Sequence, residues 1–153
     1  MTAYNIMIVD DEENILKSLT RCLRHKENWS LETFTSAEEA LRRARTRIFD
    51  AVITDYNMPD IDGMSFLAEL RTLQPDAVRI VLTGVVNIDT LMAAINEAGA
   101  FRFVPKPWDD SQLIEGIEEG LRLRDTLLEN RMLARQVRDL QEENAQLRAR
   151  LGQ

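Results

Sequence analysis

ITDYNMPDIDG, residues 53–63, sets an aspartate directly after a short apolar run, then adds Met-Pro, two more acids and a glycine. The run starts at Ala51, and AVIT (51–54) has the length of a buried strand. An acid at the end of such a strand is costly unless something uses its charge. Outward from it, the same pattern recurs. NIMIV (5–9), RIVL (79–82) and FRFV (101–104) are further strand candidates, and LETF (31–34) is a weaker one. Amphipathic stretches separate them. Ile15, Leu16, Leu19, Cys22 and Leu23 form one apolar face; Ala37, Ala40, Leu41 and Ala44 a second; Phe66, Leu67, Leu70 and Leu73 a third; Leu91, Met92 and Ile95 a fourth. Ser36 with Glu39 matches a capping box, Asn87 is a candidate N-cap and Gly99 a candidate helix stop. Strands alternating with helices predict an α/β fold, a doubly wound parallel (βα)5 sheet covered on both faces.

The fifth helix is predicted to start near Asp109 or Asp110 and meets no proline afterwards. Leu133, Val137, Leu140, Asn144, Leu147 and Leu151 are spaced four, three, four, three, four. That is a heptad seam, with Val137, Asn144 and Leu151 at a and Leu133, Leu140 and Leu147 at d. Upstream, Ile117, Leu121 and Leu128 follow another phase, which predicts a stutter near 128–133. A helix from 110 to 151 would be about 60 Å long. A single domain of this size does not cover that length, so the sequence predicts that the helix projects.

In a doubly wound sheet, ligands sit at the carboxyl ends of the strands. Those ends collect Asp10 and Asp11 from VDDEE, Asp55 from ITDYN, Thr83 from VLTGV and Lys106 from FVPKP. Singly, each has a structural explanation: Asp10 or Asp11 as an N-cap, Thr83 as a strand-end hydroxyl, Lys106 as a solvated lysine. Together they form a chemical set. Three nearby carboxylates repel unless a cation joins them, and oxygen ligands without His or Cys suit a hard ion such as Mg2+. A carboxylate beside Mg2+, with Lys and Thr opposite, suits phosphoryl transfer with Asp55 as acceptor.

These residues resemble the receiver domains of two-component response regulators. The motifs are Asp10-Asp11, Asp55 with Asn57-Met58-Pro59 and Gly63, Thr83-Gly84, and Lys106-Pro107. The resemblance implies a flavodoxin-like receiver fold over residues 3–125, followed by a coiled-coil helix over 126–153 that is continuous with the fifth helix. It further implies Mg2+ (or Mn2+) held by Asp11, Asp55, the Asn57 backbone carbonyl and, directly or through water, Asp10. Thr83, Gly84 and Lys106 would bind the phosphoryl group, with Thr83 and Phe103 as switch residues. Phe103 also reads as a plain core phenylalanine, because alternating strand faces give the same residue. The implied partner is a histidine kinase, and the implied role is a signalling domain that catalyses only its own phosphoryl transfer and slow autodephosphorylation. The state would pass through the last helix and a coiled-coil homodimer to an output domain or protein. In the family, hydrolysis depends on the positions two after the acceptor and two after the threonine. Here these are Asn57 and Val85, and an apolar Val85 implies a long-lived phosphate.

Other classes remain in view. The chain could be the N-terminal regulatory part of a longer phosphohydrolase or transcription regulator. An aspartyl-phosphate hydrolase on a similar fold would want an acid two residues after its nucleophile, where this chain has Asn57. No glycine-rich GK[ST] loop supports a P-loop NTPase. The net charge is −7, and because residues 121–153 carry seven Arg against five acids, residues 1–120 hold −9. An acidic body argues against direct nucleic-acid binding, and no apolar stretch is long enough to cross a bilayer. The lone Cys22 excludes an internal disulfide, reads as a small core hydrophobe and fits a reducing cytoplasm.

Overall fold

The computed structural model describes residues 2–84, 88–96 and 99–152. Strands and helices alternate: β1 (Tyr4–Val9), α1 (Glu13–Leu23), β2 (Trp29–Phe34), α2 (Ala37–Ala44), β3 (Ala51–Asp55), α3 (Gly63–Leu73), β4 (Val78–Thr83), α4 (Ile88–Asn96), β5 (Arg102–Pro105) and α5 (Asp110–Leu151). The five strands form one parallel sheet in the order β2-β1-β3-β4-β5. The (βα)5 expectation holds. The weakest strand candidate, 31–34, proves to be six residues long and pairs with β1 along its whole length.

Side-chain alternation along the strands sorts the core into two layers. Ile6, Ile8, Ile53, Ile80 and Leu82 face α1 and the first turns of α5, where Leu19, Leu23, Leu113 and Ile117 are fully buried. Met7, Val9 and Val52 face the other way, against Ala37 and Ala40 of α2 and Phe66 and Leu70 of α3. β3 and β4 are buried at every residue, as central parallel strands must be.

α4 departs from its pattern. Met92 and Ile95, expected on a buried face, are 50% and 41% exposed; the side chain of Leu91, and Asn87 with Val85, lie outside the described residues. Gly99 has φ +71°, a left-handed backbone that suits glycine and fits its reading as a stop signal.

By compactness the chain divides into two units, Met1–Leu121 and Arg122–Gln153. In the second, residues 129–152 are all exposed, including Leu133, Val137, Leu140, Leu147 and Leu151. No helix among the described residues is long and apolar enough to cross a membrane.

Candidate functional site

The strand order reverses at β1, so the crevice beside it lies between the ends of β1 and β3. Register places the chemistry there. Val9 pairs with Thr54, which brings Asp10 and Asp55 side by side just beyond that rung. Asp55 pairs with Leu82 and Thr83 with Pro105, so each strand toward β5 delivers its polar residue one step further along.

Asp10 is fully buried and Asp55 is 7% exposed. Lys106 Nζ reaches both, 3.1 Å from Asp10 Oδ2 and 3.4 Å from Asp55 Oδ2. The other oxygen of Asp10 accepts the Glu12 backbone N–H at 2.9 Å, and Asp55 Oδ1 accepts the Asn57 N–H at 3.3 Å. Asp10 therefore bonds to the turn before α1, whose N-cap residue is Glu12. Asp11 is exposed, yet one of its oxygens lies within 4.8 Å of those of Asp10 and Asp55.

Burial pushes the Asp55 carboxyl upward and the Asp10 charge adds to this, while Lys106 pulls it back only in part. For Lys106, burial works against the charge, but the hydrogen bond and charge of Asp10, with Asp55 behind them, leave its pKa raised. One ammonium thus meets two carboxylates, with a third, Asp11, close beside them. That charge imbalance, with a donor set made only of oxygen, fits a hard divalent cation. Asp10, Asp11 and Asp55 are the side chains placed to hold it.

The other predicted residues sit around this centre. Thr83 is 4% exposed at the end of β4, and its carbonyl accepts the Lys106 N–H at 2.9 Å, which ties the two strand ends together. Gly84 is exposed, and a Cβ there would meet nothing within 4 Å. Phe103 is half-buried and packs beside Val81, Leu67 and Ala100. Asn57 forms an antiparallel bridge with Asp62 that closes the β3–α3 loop. Gly63 ends that loop because a Cβ would collide with the Tyr56 carbonyl oxygen and lie 2.8 Å from its ring. The Lys106–Pro107 peptide is cis. Cys22 lies apart from the carboxylates on α1; burial and the neighbouring Asp110 push its thiol up to about 12, which keeps it neutral.

Two buried polar residues had no sequence signal. Gln74 and Arg79 are 6% and 8% exposed, and both satisfy backbone groups of other segments. Asp60, one of the two acids that follow Met-Pro in the opening stretch, bonds to the start of α2.

The family model of the response regulator receiver domain matches residues 6–118. The chain belongs to this family: it is a receiver domain of a two-component response regulator, a signalling domain. It is 35% identical over 118 residues to the hydrogenase transcriptional regulatory protein HoxA of Bradyrhizobium diazoefficiens, a match covering 77% of this chain and 24% of that protein. Over 120 residues it is 36% identical to the transcriptional regulatory protein FixJ of Rhizobium meliloti, covering 78% of this chain and 58% of FixJ. A solved signal receiver domain of an HD domain-containing protein from Pseudomonas fluorescens superposes with a TM-score of 0.76 at 31% identity, covering 81% and 98% of the two chains. The chain thus spans about a quarter of HoxA and little more than half of FixJ.

Proposed function

We propose that Asp55 accepts a phosphoryl group from a histidine kinase in an Mg2+-dependent reaction. The observation that carries this is the contact of one ammonium, Lys106, with both Asp10 and Asp55 at adjacent strand ends. An Asp55 carboxylate oxygen attacks the phosphorus of a phosphohistidine; the new O–P bond makes an acyl phosphate as the N–P bond breaks and the imidazole leaves. Lys106 then has a phosphoryl oxygen to neutralise in place of the carboxylate, and the Thr83 hydroxyl can donate to another. A bound Mg2+ would offset the charge of the carboxylates and the incoming phosphoryl oxygens. Asp10, Asp11 and Asp55 would hold it with the Asn57 carbonyl.

The test is labelling by acetyl phosphate with Mg2+. Asp55→Ala is expected to abolish it, whereas Asp62→Ala keeps it. Retained labelling in the Asp55 variant refutes the assignment.

The same reading assigns residues 3–125 to the receiver and 126–153 to a coiled coil, a division supported by the compact-unit boundary after Leu121. The seam residues Leu133, Val137, Leu140, Asn144, Leu147 and Leu151 then join two copies of the chain, in the cytoplasm. Phosphorylation is relayed through Thr83, Phe103 and the last helix to an output domain or protein. The short coverage of HoxA supports a regulatory segment within a longer transcription regulator, and the Pseudomonas match, a receiver from an HD domain-containing protein, supports one beside another kind of output domain.

A further inference from the structure

We infer that Asp60 is a positioning residue for the phosphoacceptor loop: its carboxylate clamps the apex of the β3–α3 loop to the N-terminus of α2. The functional arm of this inference rests on the reading of Asp55 and its metal given above; the structural arm does not.

A helix begins with backbone N–H groups that have no partner inside it. In α2 the first three all find one outside. Ala37 and Glu38 donate to a single oxygen of Asp60, Oδ2, at 3.1 and 3.4 Å, while Glu39 donates to Ser36 Oγ at 3.4 Å. The Ser36 hydroxyl donates to the same Asp60 oxygen at 3.3 Å. Only the Ser36 bond belongs to the local cap of α2. The other two N–H groups depend on a residue more than twenty positions later, whose charge also suits the positive end of the helix.

The consequence falls on the loop. Its base is fixed by the Asn57 N–H on Asp55 and by the Asn57–Asp62 bridge. Met58 holds it from beneath by packing into the α2–α3 core, and Pro59 has no N–H to offer. At its apex Ile61 packs against the same core, and Asp60 supplies the polar anchor. Asn57, whose carbonyl belongs to the proposed metal site, is three residues from that anchor and two from Asp55. A loop whose apex is also hydrogen-bonded keeps that carbonyl in place before a cation arrives; one that keeps only its apolar packing and its base must be ordered further by binding.

The experiment compares Asp60→Ala, Asp60→Asn and Ser36→Ala with the parent in the full chain. Ser36→Ala is the control: it removes the local cap of α2 and one of the three bonds to Asp60, but leaves both Asp60 amide bonds. Hydrogen exchange at amides 57–62 is measured without metal, and Mg2+ affinity by calorimetry. Asp60→Ala is expected to speed exchange at 57–62 and to weaken Mg2+ binding by roughly 10-fold, the cost of losing a group that orients a ligand. Asp60→Asn, still an acceptor, should restore most of both; Ser36→Ala should leave both near the parent. Unchanged exchange in Asp60→Ala overturns the clamp. Faster exchange with unchanged Mg2+ affinity overturns the positioning role, as does an equal loss of affinity in Ser36→Ala. A parent that binds no Mg2+ overturns the reading of the metal site and the positioning role with it, while the exchange data still decide the clamp.

Discussion

At Asp55 the energetic conflict of the site is concentrated in one side chain. Burial, then the Asp10 charge, hold its carboxyl above the ordinary value despite Lys106. In the unfolded chain an aspartate loses its proton near pH 3.9, about the model-peptide value. The folded protein keeps that proton to higher pH, so between the two values it binds more protons than the unfolded chain. Stability therefore falls as pH rises through that window, and the penalty is fully present above it. Asp55→Asn removes the penalty. The metal-free variant is expected to melt higher than the parent at neutral pH, with the difference shrinking as pH drops toward about 3.9. Thermal melts in EDTA across that range check it, and a variant that melts lower at neutral pH refutes it. Adding Mg2+ should stabilise the parent more than the variant, since the parent keeps all three carboxylates.

Among the elements, the strands were legible because alternation and apolar runs are local signals, and the caps only where a local residue supplies them. Ser36 could be read as the α2 cap; the part played by Asp60 could not, because no periodicity connects positions more than twenty apart. Gln74 makes the same point at the end of α3. Its Oε1 accepts the Phe49 N–H at 3.0 Å, and its Nε2 donates to the carbonyls of Ala44 and Arg47, both at 2.7 Å. It thereby fastens the α2–β3 connection to α3. Arg79 does likewise at the start of β4, donating to the carbonyls of Gln74, Ala77 and Gly99. Gln74→Ala leaves buried backbone groups without partners and is expected to cost about 2–3 kcal/mol. Urea unfolding should show this as a lower midpoint with an unchanged slope. A loss below about 0.5 kcal/mol, ordinary for surface substitutions, would refute the role.

For the whole molecule, the feature that calls for a partner is the exposed apolar row between Leu133 and Leu151. Leu133, Val137, Leu140 and Leu147 are 45–59% exposed and Leu151 is 86% exposed. A second copy of the chain is the partner that suits this row. Leu at d with Val at a favours two strands, and in a parallel, in-register dimer Asn144 at a would pair with its own counterpart. The same register puts Glu143 at g and Arg148 at the following e, a pair that would add about 0.2–1 kcal/mol to such a dimer. The full chain is expected to sediment as a dimer at tens of micromolar, and a chain ending near Leu123 as a monomer. A monomeric full chain, with and without beryllofluoride, refutes the dimer. A dimer that survives truncation moves the contact to the receivers.

By itself the sequence determined the order of the elements and the chemistry of the rim. Residue periodicity reports which face is apolar, and Asp10, Asp11, Asp55, Thr83 and Lys106 each lie at or within two residues of a strand's carboxyl end. It left three things open that only the tertiary structure decided. Strand order, with the reversal beside β1, depends on which strands find each other across long separations. The difference between Asp10 and Asp11 depends on depth: neighbours of identical type, one is fully buried against Lys106 and the other exposed. The duties of Asp60, Gln74 and Arg79 depend on backbone groups that reach them only after the chain has folded. Local patterns specify what a segment can form; which unpaired donors and charges end up facing one another is set by packing.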